Sequence, residues 1–397
     1  MEYQSVINID KQVHDNFVKQ SPLCNLLQSS DWGKIKDNWQ NFLFSVTSGG
    51  EVVASSLVLV KTIKMGYKVF YIPRGPIMDY TNQELVKFYF DELKKYAKEH
   101  KCVFIKFDPA VIYQQYQIGD VPQADPQAQQ IINTLTNLGV NHHGFSMKIK
   151  DTFQPRIVMG IYQDQDYQNN LPRRTLKSMR SATKKGVEVN RYGIEYLDEF
   201  SRLMELTEQR KGVSLRNKDY FLKLLTTYPD TGYLYLAKVD INKRINNLEE
   251  ELEQLLIQYN DQDITNKAKK KLDPQITLVD EELDQLRELA SKYPEEEFIS
   301  GGIMVGFGDQ MELLYAGMDD DFKHFYPQYL TYTKQFDDSF NLGYSFCSMG
   351  GVEGSLDDGL SMYKKAYNPY VIEYIGEFDL VLNQPLYMAY KALMKLR

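Results

Sequence analysis

The residues with the most evident chemical capacity lie in the stretch 349–369, MGGVEGSLDDGLSMYKKAYNP. It holds a Gly-rich turn, the acidic pair Asp357 and Asp358, and a cationic aromatic cluster of Tyr363, Lys364, Lys365 and Tyr367. The preceding LGYSFCSMGG reads as a buried strand ending in Gly350 and Gly351. Glycine has no Cβ, so backbone at such a strand end can come close to a ligand. A second concentration of charge comprises seven cations, Arg173, Arg174, Lys177, Arg180, Lys184, Lys185 and Arg191, against one acid, Glu188. In a chain of net charge −8 this density is either the electrostatic footprint of a polyanion or a plain solvated helix face.

The motifs of the common hydrolases, NTPases, dinucleotide enzymes and zinc enzymes are absent. There is no G-x-S-x-G, no P-loop, no G-x-G-x-x-G after a strand and no H-E-x-x-H. A covalent enzyme intermediate is therefore not expected, nor is a cofactor or a metal. Cys24, Cys102 and Cys347 stand far apart in apolar contexts and are expected to be buried free thiols. His142 and His143 would point to opposite faces of a strand and not converge on one ion.

These residues must be positioned by a chain of 397 residues, 43% hydrophobic, long enough for two or three domains. EVVASSLVLVKTI and KVFYIPRGPIMD read as strands, ELVKFYFDELKKYAKEHK as an amphipathic helix and CVFIKFDP as a strand. Later, GYLYLAKV, FISGGIMVGFG and QMELLYAGMD read as strands, FYPQYLTYTKQFDDSFNLG as a helix and YSFCSMGG as a strand. Strands, a helix and a buried strand thus recur, which describes an α/β unit with a mixed sheet used twice. Between the halves, IEYLDEFSRLMELTEQRKG reads as a helix closed by Gly212. Outside the repeat, Ile241, Ile245, Leu248, Leu252, Leu255 and Tyr259 share a heptad spacing with Leu272, Ile276, Val279, Leu283, Leu286, Ala290 and Tyr293. Two such helices joined by the polar tip NDQDITNKAKKK make an antiparallel coiled-coil arm, with a self-contained seam and a basic tip. No apolar stretch is long enough to span a bilayer and the N-terminus has no signal-peptide pattern, so a cytoplasmic location is expected.

The twice-used pattern resembles the acetyltransferase-like (GNAT-like) fold. Its coenzyme A loop has no counterpart here, since Gln209-Arg210-Lys211-Gly212-Val213-Ser214 ends wrongly, and a donor other than acetyl-CoA is the better expectation. DWGKIKDNW (31–39), YIPRGPIMD (71–79), FIKFDPAVIY (104–113), LPRRTLKSMR (171–180) leading into GVEV (186–189), LLYAGMD (313–319), the 349–369 stretch and EYIGEFD (373–379) together resemble the FemABX family. These are tRNA-dependent aminoacyltransferases that build peptidoglycan interpeptide bridges.

The resemblance implies two GNAT-like domains, 1–150 completed by 376–397 and 151–375, with the arm at 240–297 inserted in the second. It implies an amino acid transferred from aminoacyl-tRNA to the stem-peptide amine of lipid II or of UDP-MurNAc-pentapeptide, at the inner membrane surface, with a homodimer among the expected partners. Lys36 and Arg216 match residues that hold the acceptor's diphosphate, with Tyr220 four residues on and Tyr315 in the YAG strand; without the family pattern they would read as surface cations and core aromatics. Asp108 matches an acid beside the acceptor peptide, or caps a turn. Lys364 and Tyr363 match a catalytic Lys preceded by an aromatic, with Lys365 as the alternative register. Arg173, Arg174, Lys177, Arg180 and Lys184 become the candidate tRNA face. Aminoacyl-tRNA is an activated ester, so the enzyme need supply only alignment, a route for the amine proton and a cation for the oxyanion. An acyl-CoA-dependent N-acyltransferase and a non-catalytic coiled-coil scaffold or immunity protein are the alternatives.

Overall fold

The computed structural model describes residues 2–395. It contains two eight-stranded mixed sheets. The first runs Tyr3–Ile7, Gln40–Ser48, Glu51–Thr62, Lys68–Ile72, Cys102–Phe107, Phe378–Val381, Asn141–His142, with the short Ile77–Met78 beside Glu51–Thr62. The second runs Glu188–Tyr192, Gly232–Asp240, Glu296–Phe307, Gln310–Met318, Phe346–Gly351, Ile157–Tyr162, Tyr370–Tyr374, Ile112–Gln117.

Each sheet has one parallel pair, and in each a helix makes the crossover. Gln83–Glu99 links Lys68–Ile72 to Cys102–Phe107, and Pro327–Asn341 links Gln310–Met318 to Phe346–Gly351. The first crossover helix is capped by Asn82, which accepts from the Leu85 N–H, and buries Leu85, Val86, Tyr89, Phe90, Leu93 and Ala97 on the first sheet.

The two halves exchange strands. Ile112–Gln117 leaves the first half to pair with Tyr370–Tyr374 at the edge of the second sheet. Four residues after Tyr374 the chain re-enters the first sheet at Phe378, turning at Gly376 with φ 95°. A Cβ at Gly376 would lie 2.9 Å from the Gly144 carbonyl oxygen, so both conformation and space require glycine. An apolar core also spans the halves, joining Leu26, Trp32 and Leu57 to Phe200, Phe221 and Ile303.

Three expectations change. KVFYIPRGPIMD is two strands, because Pro73 and Pro76 interrupt the ladder between Lys68–Ile72 and Ile77–Met78. The polar tip of the arm is shorter than its composition suggested: the second helix spans Asn266–Lys292, Thr265 caps the Ala268 N–H, and Lys267, Lys269, Lys270 and Lys271 form its first turns. The arm's seam is also not self-contained. At its root Leu248, Val279, Leu283 and Leu286 pack with Ala182, Val187, Phe322 and Phe325 of the body. Between the two helices, Arg244 pairs with Glu282 at 2.9 Å and Arg287 with Glu249 at 2.8 Å.

The three cysteines are buried and unpaired. Among the described residues no helix is long and apolar enough to cross a membrane.

Candidate active-site cleft

In the second sheet the parallel strands pair only at Gln310–Phe346, Met311–Cys347 and Glu312–Ser348. Beyond that point they part, and Gly350 turns with φ 77° at the fork. A Cβ there would sit 3.7 Å from the Leu313 carbonyl oxygen and 3.9 Å from Lys364 Nζ. The fork opens into a cleft of about 210 Å³ between the halves, whose walls include Leu27, Arg74, Glu312, Leu314, Gly350 and Tyr374.

Lys364 reaches the fork from a short helix, Gly359–Lys364. Of the acidic pair, Asp358 starts this helix by accepting from the Leu360 and Ser361 N–H groups at 2.8 and 3.2 Å. At the other end Lys364 is 4% exposed and donates to the Gly351 carbonyl at 2.8 Å. Burial pushes its ammonium down to about 7, with Asp358 pulling weakly the other way. Tyr363, its neighbour, faces away from the fork. Its hydroxyl is 2.5 Å from that of Tyr367, and its ring stands edge-on to Tyr329 and Tyr332, each at 5.4 Å. Tyr363 therefore anchors the lysine's helix to the crossover helix Pro327–Asn341.

The equivalent parallel pair of the first sheet is closed instead of forked. Asp108, 2% exposed, accepts from the Tyr71 hydroxyl at 3.0 Å and from the Arg74 N–H at 2.7 Å. Burial pushes its carboxyl up to about 7 against the pull of Arg74. Asp108 does not line the cleft, but Arg74, which it holds at φ 55°, does. The Arg74 guanidinium lies 4.3 Å over the Tyr374 ring and donates to the Pro155 carbonyl at 2.6 Å.

Lys36, Arg216, Tyr220 and Tyr315 come together although they are far apart in sequence. Lys36 Nζ lies 5.3 Å over the Trp32 ring; burial, then repulsion by Arg216, lowers its pKa. Arg216 lies 5.1 Å over Tyr220, whose hydroxyl accepts from Tyr315 at 3.1 Å. Among the described residues neither cation has a carboxylate partner, since the adjacent Asp37 is taken by Lys223 at 2.8 Å. Two cations that repel each other and lack a counter-charge are an arrangement suited to receive an anion. Leu27 and Leu314 line the cleft and pack in the same cluster as Tyr220 and Tyr315, so the cation pair and the fork share a wall.

The basic segment is a helix, Arg173–Lys184. Arg173, Lys177, Arg180 and Lys184 share an exposed face with Arg174 beside it, while Thr175, Ser178 and Ala182 are buried on the other side. Cations at a helix N-terminus oppose the macrodipole, so helix stability does not explain Arg173 and Arg174. Among the described residues only Lys184 of the five is paired, with Glu251 of the arm at 3.1 Å.

Arg74, Glu312 and Tyr374 escaped the sequence reading. Arg74 and Tyr374 lie inside quoted motifs and Glu312 just precedes one, but nothing in their spacing shows that they converge. No group of His, Cys, Asp and Glu among the described residues is arranged to hold a metal ion.

Residues 9–395 match the model of the FemAB family. The chain is 30% identical, over 96% of its length and 94% of the relative's, to lipid II:glycine glycyltransferase of Staphylococcus haemolyticus. It is equally 30% identical to the protein of the same name from Staphylococcus aureus, with 96% and 94% covered. A crystal structure of FemX superposes with a TM-score of 0.77 at 29% identity, covering 98% of this chain and 99% of that one. A tandem GNAT protein from the clavulanic acid pathway shares the fold at TM-score 0.51 and 10% identity, covering 96% and 99%.

Proposed function

The chain belongs to the FemAB family, and from that premise we propose that it transfers an amino acid from aminoacyl-tRNA to the stem-peptide amine of lipid II. Lipid II is the acceptor named for the relatives, and glycine, their donor, is the amino acid to test first. The observation that carries this reading is the buried Lys364 amine at the fork of two strands, in a chain that also brings together the uncompensated cations Lys36 and Arg216.

The ester of aminoacyl-tRNA needs no enzyme nucleophile. The acceptor amine attacks its carbonyl carbon, and the negative charge that develops on the carbonyl oxygen is met by Lys364. Preorganisation makes this effective, because Lys364 is held by the Gly351 carbonyl and by the anchored helix and does not reorganise during the step. Lys36 and Arg216 take the acceptor's diphosphate, with Tyr220 and Tyr315 behind them. Asp108 acts by fixing Arg74 at the cleft wall, and Tyr363 by seating Lys364.

Arg173, Arg174, Lys177, Arg180 and Lys184 face the tRNA backbone. A lipid-linked acceptor places the protein at the inner face of the membrane without a spanning helix. Exposed Ile257 and Leu278 on the arm support self-association into a homodimer.

The test is incubation with charged tRNA and either lipid-linked or UDP-linked muropeptide, with the product weighed by mass spectrometry. Addition of one amino-acid residue, abolished by ribonuclease, is expected. Transfer from free amino acid and ATP, or from acetyl-CoA, overturns the proposal.

A further inference from the structure

Among the described residues Glu312 is the one carboxylate that lines the cleft. It stands at the last paired position before the fork, directly opposite Ser348. The residue is half-buried, and its surroundings are poor in counter-charge. Arg74 is the cation that faces it, but that guanidinium is engaged by the Pro155 carbonyl and the Tyr374 ring, and among the described residues Glu312 makes no ion pair. Burial raises the carboxyl's pKa, while Ser348 and Arg74 hold it down.

Partly burying a carboxylate whose facing cation is engaged elsewhere and whose support is a hydrogen bond to Ser348 is costly, and an apolar or amide side chain would fill the same space without that cost. Glu312 at the cleft wall and Lys364 at the fork are thus groups of opposite sign that, among the described residues, make no ion pair with each other or with any other side chain. Lys364 answers the negative charge of the reaction. A positive charge is also brought in, because a primary amine is an ammonium at neutral pH and cannot attack until it loses a proton.

We infer that Glu312 receives the acceptor's ammonium in the cleft and takes the proton that must leave before attack. This rests on the aminoacyl transfer proposed above. The proton balance is complete without any further reactant. Of the three protons on the ammonium nitrogen, one passes to the Glu312 carboxylate and on to solvent. The freed lone pair forms the C–N bond, and as the C–O bond to the ribose breaks a second proton goes to the leaving oxygen. The third remains on the amide. The products are the extended peptide, a tRNA with a free terminal hydroxyl and one released proton. Glu312 is in this account a catalytic residue that touches the substrate.

The test compares two acceptors, the natural muropeptide and one whose stem amine is replaced by an aminooxy group, which is unprotonated at neutral pH. With Glu312→Gln, transfer to the natural amine is expected to fall about 10²–10³-fold, as for loss of a general base. Transfer to the aminooxy acceptor should fall less than about tenfold, since that nitrogen arrives without the extra proton. Glu312→Asp keeps the charge and retracts it by one methylene, so it should show a smaller loss with the same preference, and it keeps the test open if the Gln variant folds poorly. Equal losses on both acceptors, or near-normal transfer to the natural amine by the Gln variant, overturn the inference alone. Absence of transfer by the wild-type protein to either acceptor overturns the underlying reading and the inference with it.

Discussion

The Thr175 hydroxyl donates a 2.6 Å hydrogen bond to the carbonyl of Ala366, two residues beyond Lys364. The helix that carries the exposed cations is thereby fastened to the segment that carries the buried lysine. A polyanion seated on Arg173, Lys177 and Arg180 would load directly onto the element that positions Lys364. Thr175→Val keeps the volume but leaves that carbonyl without its donor, a change worth about 1–3 kcal/mol. The variant should bind charged tRNA as the wild type does while kcat falls about threefold to tenfold. Weaker tRNA binding with unchanged kcat would show that the bond supports the basic face and not the lysine.

If the basic helix faces phosphates, its residues should differ in a defined way. Alanine at Arg173, Arg174, Lys177 or Arg180 should weaken binding of charged tRNA and lower the slope of log K against log salt by about 1 each. Lys184, already paired with Glu251, should contribute less. A salt slope unaltered by all four substitutions would remove tRNA from this face.

The cation pair makes a separate prediction. Arg216→Ala removes a charged hydrogen bond worth about 1.5–3 kcal/mol and should raise the acceptor KM about tenfold or more, with kcat little changed. Lys36→Met should act in the same direction, with a smaller effect because its ammonium is already disfavoured by burial and by Arg216. Normal KM values in both variants would mean that the phosphates bind elsewhere.

What could be read from the sequence follows the range of each interaction. The strands and crossover helices are periodic within ten to twenty residues, so Glu51–Thr62, Gln83–Glu99 and Pro327–Asn341 are visible in their own patterns. Gly212, closing the Leu197–Lys211 helix with φ 63°, is a local signal of the same kind. The strand Gln40–Ser48 is the contrary case. Its QNFLFSVTS alternates too weakly to stand out, and pairing with Glu51–Thr62 and Tyr3–Ile7 establishes it. The meeting of Arg74, Glu312 and Tyr374 depends on the strand exchange between the sheets, which no local pattern encodes. Asp108 illustrates the limit for single residues. Its type and its place before Pro109 suit either an acceptor contact or a cap, and its bonds to Tyr71 and the Arg74 N–H are visible only in the fold.

The arm offers a test of its two parts. Its ends leave adjacent strands, with Asp240 directly opposite Glu296, so a short linker can close either truncation. Replacing residues 256–275 by a Gly-Ser linker removes the basic tip and should leave the melting temperature of the body unchanged. Replacing 242–293 exposes Phe322 and Phe325 as well, and should lower the melting temperature by several degrees. Equal stability of the two truncations would mean that the root contributes nothing to the body. The shorter truncation is the one in which loss of tRNA affinity or of self-association reports on the arm itself.

The buried lysine ties activity to stability in opposite directions. Lys364→Met keeps most of the side chain's length without the charge, so kcat should fall about 10²–10³-fold if the group stabilises an oxyanion, while Lys365→Met should change little. The same substitution should stabilise the protein. Burial lowers the folded-state pKa from 10.5 to about 7, so between those values the unfolded chain binds a proton that the folded chain does not, and wild-type stability rises with pH. The cost of the buried ammonium is complete below about pH 7 and gone above the unfolded value. Lys364→Met should therefore melt higher than wild type near pH 6, and the difference should shrink steadily as the pH is raised toward 10. A variant that loses kcat but melts no higher at the lower pH would mean that the cleft does not disfavour the charge. A variant that keeps kcat while Lys365→Met loses it would move the catalytic assignment to the next residue.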